Sequence, residues 1–170
     1  MHPLDARLEN LLGAASLAVA EAIREAVERE VGFGGAVPAA LVTIDAYPGR
    51  GIEQLRAALG LSQPGTVRLV DRLEQEGWAE RGSGQGRSVA LRLTPAGRGI
   101  VEELLLARER TLSAMLEPLT RTERARLMPV LEKLLGAQTH ERRDLEHLCR
   151  LCQREACENC PVAATLRSRR

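Results

Sequence analysis

At 170 residues, with 44% hydrophobic and 28% charged side chains, the chain suits one packed domain plus at most a short appendage, which excludes a fibrous or membrane-embedded protein. No apolar run approaches the roughly 18 residues of a membrane helix, and the start MHPLDARLENLL lacks the basic opening and small-residue cleavage site of a signal peptide, so a cytoplasmic location with no membrane partner is expected. The net charge of +1 is unevenly spread: 3 Arg stand against 7 acidic residues in 1–49, 8 against 5 in 50–98, and 5 against 2 in 149–170, which leaves positive patches in the middle and at the tail.

The spacing predicts a first helix over 4–30, with Leu4, Leu8, Leu11, Leu12, Ala15, Val19, Ala22 and Ile23 on one apolar face. Glycines in GFGG (32–35) end it, and a short apolar helix follows from about Pro38 to Ala46, stopped by Pro48 and Gly49. Ile52–Leu59 reads as a third helix and Gly60-Leu61-Ser62 as a turn. Ser62 is an N-cap and Pro64 falls in the first turn of the next helix, which runs to about Glu76 and is closed by Gly77. WAERGSGQGRSVALRLT then reads as two short strands joined by a glycine-rich tip, with Ser88–Leu93 as the second.

Thr94-Pro95 opens a long helix to about Leu116, broken by Pro118, and Thr120 with Glu123 forms a capping box for the last one. Apolar positions 127, 130, 131, 134 and 135 give that helix a stripe, and the apolar stretch 121–148 is expected to cover a partner chain. The stretches 4–30 and 121–148 leave too little core in one subunit to bury both, which predicts a homodimer. Phe33, Tyr47 and Trp78 are the only aromatics, a composition that argues against an enzyme pocket.

Helix, three-residue turn, helix and β-hairpin is the layout of a winged helix-turn-helix. In the second helix Thr66, Leu69, Val70 and Leu73 share the face to be buried. Ser62, Gln63, Pro64, Val67 and Arg68 near its start, with Arg72 further along, are then the candidate DNA-contacting residues. Arg and Gln can pair with guanine and adenine edges, Val67 can touch a thymine methyl, and Arg72 suits a phosphate.

The stretch LGLSQPGTVRLVDRLEQEGWAER (Leu59–Arg81), followed by VALRLTPAG (Val89–Gly97), resembles the MarR family of transcriptional regulators. The resemblance covers about residues 4–148. It implies a mainly α fold with a small β-hairpin wing, in which long dimerisation helices flank the winged helix-turn-helix. The organisation that follows is dimerisation helices in 1–48 and 94–148, the DNA-binding region in 49–93 and a cysteine-rich tail in 149–170. It further implies a homodimer that binds a double-stranded DNA operator as a repressor, and a small-molecule effector. The family wing carries an Asp that orients a minor-groove Arg. Here the wing GSGQGRS is about two residues shorter, with Arg87 in the arginine's place and Gln85 in the aspartate's.

All four cysteines fall in CRLCQREACENC: Cys149, Cys152, Cys157 and Cys160. In a reducing compartment stable disulfides are disfavoured, and two C-x2-C pairs can complete a four-sulfur site. Zn2+ is the expected cofactor and an iron–sulfur cluster the alternative, with His140 and His147 as substitute ligands or plain surface residues. Two other functions fit parts of the pattern. A helical protein–protein adaptor would use the cysteines as a zinc knuckle. A thiol redox protein would place C-x2-C at a helix start after a strand, and no βαβ pattern is present. A metal is expected to clamp the end of the final dimer helix and fix the residues beyond Cys160.

Overall fold

The computed structural model describes residues 3–83, 89–157 and 160–167. Helix α1 (Pro3–Val31) leads through the glycine turn into α2 (Val37–Ala46), α3 (Ile52–Leu59) and α4 (Gln63–Gln75). The strands β1 (Ala79–Ser83) and β2 (Val89–Leu93) form an antiparallel pair with Ala79 opposite Leu93 and Ser83 opposite Val89. Helices α5 (Pro95–Leu116), α6 (Arg121–Ala137) and α7 (Arg142–Leu148), a 3-10 turn (Glu155–Cys157) and α8 (Pro161–Arg167) complete the order. No helix among the described residues is long and apolar enough to cross a membrane.

Local chemistry sets most of these boundaries. The Ser62 hydroxyl accepts from the Gly65 N–H at 3.3 Å, Thr94 from Gly97 at 3.1 Å, and Thr120 from Glu123 at 3.3 Å, so three helices begin where a side chain satisfies an orphan N–H. Gly60 ends α3 with φ of 67°, a left-handed turn that costs a residue without Cβ nothing.

The core forms around α2, whose residues from Val37 to Ile44 are all buried. Leu41, Val70, Leu73, Leu91 and Leu104 pack there at 1% exposure or less. Phe33 lies on Trp78 with ring centroids 4.2 Å apart. Gly97 lets α5 start directly on the wing: a Cβ there would stand 2.0 Å from the Trp78 carbonyl oxygen.

The apolar stretch 121–148 is not one helix. Helix α6 ends at Ala137, Thr139 is buried with its hydroxyl donating to the Leu135 carbonyl at 2.9 Å, and the chain turns before α7. The Asp144 carboxylate accepts from the N–H groups of His140 (2.9 Å) and Glu141 (3.0 Å), which supplies acceptors where the chain reverses. As a result α7 packs on α3, and α8 packs back on α6.

Candidate nucleic-acid interface and cysteine tail

Helix α4 divides as its periodicity predicts. Thr66, Val70 and Leu73 are fully buried, and Leu69 is partly so. Ser62, Gln63, Pro64, Arg68 and Arg72 are exposed, and Val67 is half-buried. The cap on Ser62 leaves the start of α4 with N–H groups and the positive end of the helix dipole facing outward, beside Gln63, Pro64 and Arg68. Arg87 and Gln85 lie outside the described residues, so the wing-tip expectation rests on sequence alone.

Arg81 on β1 was not among the sequence candidates. Its guanidinium meets Asp71 at 2.6 Å and also Glu74, and its backbone N–H donates to Glu74 at 3.0 Å. These contacts tie the wing to the outer side of α4 and neutralise two carboxylates that would repel phosphate. The signal was in the motif, since Asp71 and Arg81 are its DRL and terminal R, but the motif alone does not say that they touch. Among the described residues Arg68 and Arg72 have no ion-pair partner, which leaves their charge for an external anion.

The helix-turn-helix unit is held from behind by α7. Glu146, with a side chain only 8% exposed, accepts from Arg50 Nη1 at 2.7 Å and from Arg142 Nε at 3.0 Å. His147 Nδ1 lies 3.1 Å from the Ala58 carbonyl of α3, which accounts for this histidine without a metal. The Arg50 guanidinium sits 3.6 Å from the centre of the Tyr47 ring. Arg154 stacks on the same ring at 4.0 Å and donates to the Tyr47 hydroxyl at 2.5 Å.

Each C-x2-C pair is bridged by one backbone hydrogen bond. The Cys152 N–H donates to the Cys149 carbonyl and the Cys160 N–H to the Cys157 carbonyl, both at 3.0 Å. Hydrogen bonding to Cys152 holds the Cys149 thiol protonated, far above its ordinary range. The same bond, with Arg108 and Arg154 nearby, lowers Cys152 to about 6 against the opposing effect of burial. Burial, then Cys160 and Cys152, push Cys157 up. As they lie, no three His, Cys, Asp or Glu side chains among the described residues are gathered closely enough to hold a metal. An open cavity of about 550 Å³ adjoins Cys152, lined by Leu12, Val19 and Ile23 of α1 and by Phe33, Arg108 and Leu131.

Residues 31–88 match the model of the MarR family. The chain is 32% identical over 101 residues to the transcriptional repressor MprA of Escherichia coli, a match covering 57% of each chain. It is 31% identical over 85 residues to the HTH-type transcriptional regulator YwhA of Bacillus subtilis, covering 49% of this chain and 61% of that one. The chain thus spans less than two thirds of the length of these curated relatives. Among solved structures, a MarR family protein from Bacillus stearothermophilus superposes with a TM-score of 0.74 at 26% identity, over 82% of this chain and 99% of that one.

Proposed function

We propose that this chain, a transcriptional regulator of the MarR type, works as a homodimer that places one α4 from each subunit in successive major grooves of an operator and represses by occluding it. The observation that carries this is the division of α4. Its inner face is locked into the core through Val70 and Leu73, while Gln63, Pro64, Arg68 and Arg72 stand exposed on the other side. Arg68, near the helix start, reads a guanine edge; Arg72 positions the helix on phosphate; Arg81 holds the wing beside it. The relatives it matches are transcriptional regulators, which supports reading the chain as a regulator rather than an enzyme.

The dimer follows from surface that one subunit leaves uncovered. Leu4, Leu8, Leu11 and Leu17 of α1 are 58–75% exposed, and Met128, Val130, Leu131 and Leu134 of α6 are 43–59% exposed. Apolar side chains in such number at the two helices flanking the DNA-binding unit are a cost that association removes. Two units related by a two-fold axis require half-sites roughly 10 base pairs apart, centre to centre. The cavity beside α1 has the size and apolar lining for a small effector.

Fluorescence anisotropy with DNA from the gene's own promoter region tests the reading. Arg68→Ala should cost about 1–3 kcal/mol and relax base preference, while Arg72→Ala should weaken all sequences alike. A monomer at micromolar concentration, or an Arg68→Ala variant with unchanged affinity and preference, refutes it.

A further inference from the structure

We propose that Cys149, Cys152, Cys157 and Cys160 bind one Zn2+ per chain through four thiolates, and that the ion staples the DNA-binding unit to the dimerisation helices. In each C-x2-C pair the second cysteine's N–H donates to the first one's carbonyl at 3.0 Å, which brings the two cysteines of the pair together. Such a turn presents two sulfurs on one side, and two of them make the closed tetrahedral shell of a structural zinc site. Arginines stand around the pair: Arg108 and Arg154 act on Cys152, and Arg108 acts also on Cys157. Four thiolates around Zn2+ carry a net charge of −2, which these cations offset.

What anchors each turn gives the site its consequence. The first turn continues directly from α7, which is fixed to Arg50 in the loop before α3 through Glu146 and to Ala58 of α3 through His147. The second turn runs directly into α8, where the Ala164 N–H donates to the Cys160 carbonyl and Val162 is buried at 5% exposure. Helix α8 in turn packs on α6. The linking residue Arg154 rests on Tyr47 at the end of α2. One side of the site therefore belongs to the DNA-binding unit and the other to the α6 side of the molecule. An ion that joins the two turns fixes the angle between the halves.

A segment this short has little core of its own, so binding of the ion would supply much of the free energy that assembles it. The sequence expectation that a metal would clamp the end of a long final helix is corrected accordingly. Helix α6 stops at Ala137, and the site lies between α7 and α8, where it ties two elements together.

The test uses the full chain, purified anaerobically with all four thiols reduced, and Zn2+ and Co2+ as probes. The expected result is one equivalent of Co2+ with the visible bands of a tetrahedral thiolate site, displaced by Zn2+. The Cys152→Ser/Cys157→Ser variant should lose this uptake while keeping the α2 and α5 core protected from hydrogen exchange. At free Zn2+ 100-fold above Kd, opening of α7 in the wild type should fall about 100-fold. Absence of uptake by the reduced chain overturns the proposal, as do an iron–sulfur chromophore in place of zinc, full metal content in the double variant, or α7 exchange that ignores zinc. Metal stoichiometry and exchange are read without DNA. A chain that binds its operator but takes up no metal refutes the staple alone, and one that takes up zinc but binds no operator refutes the regulator reading alone.

Discussion

The attachment of α7 to the loop that leads into α3 can be measured through one ion pair. Glu146 is nearly buried and accepts two charged hydrogen bonds, at 2.7 Å from Arg50 and 3.0 Å from Arg142. The two partners are unequal. The Arg142 side chain is 71% exposed, so its pair is worth less than about 1 kcal/mol. The Arg50 side chain is 30% exposed and held over Tyr47, so its bond forms at smaller entropic cost and in less water. A hydrogen bond to a charged group contributes about 1.5–3 kcal/mol. Partial hydration of Arg50 in the variant recovers some of this, which places Glu146→Gln at about 1–3 kcal/mol. Because α7 can open without the core, the loss should appear first as local opening. Native-state hydrogen exchange of α7 amides should speed up by roughly 5-fold to 150-fold over that range. A double-mutant cycle of Glu146→Gln with Arg50→Ala should give a coupling of about 1–2 kcal/mol, weaker at high salt. Additive effects within about 0.5 kcal/mol would show that the contact does not hold α7 in place.

Gly97→Ala should destabilise the fold by at least about 1–3 kcal/mol in denaturant unfolding, because the new methyl meets the Trp78 backbone and not a side chain that can move; unchanged stability would mean α5 does not abut the wing as described. Acid should loosen the turn before α7. The Asp144 carboxyl is held below its ordinary value of 3.8, first by the His140 N–H and then by that of Glu141. A lowered folded-state value means the turn gains its full support above the unfolded value and loses it as pH falls through the folded one. Exchange at the Glu141 amide, compared with an Asp144→Asn variant at neutral pH, should therefore converge only below about pH 4; convergence at neutral pH would refute the cap.

The interactions that bound helices span three or four residues, and those were legible in the sequence. Ser62, Thr94 and Thr120 cap α4, α5 and α6 as their positions predict, and Gly60 ends α3. The buried face of α4 was legible for the same reason, since helical periodicity puts Thr66, Val70 and Leu73 on one side whatever they pack against. The four cysteines could be singled out as a cluster by spacing alone. Tertiary structure decided what joins to what. In the stretch 121–148 the apolar stripe lapses over 138–144 (QTHERRD), but nothing local says where the chain goes next; only the tertiary structure shows that α7 packs on α3 and that Glu146 meets a partner just before that helix. That partner is Arg50, 96 residues before Glu146, and an ordinary Arg and Glu carry no mark of each other along the chain. The same holds for Arg81 with Asp71 and Glu74, and for Arg154 on Tyr47. Caps and periodicity are properties of neighbouring residues, whereas a charge pair at long separation exists only after the core has brought two distant surfaces together.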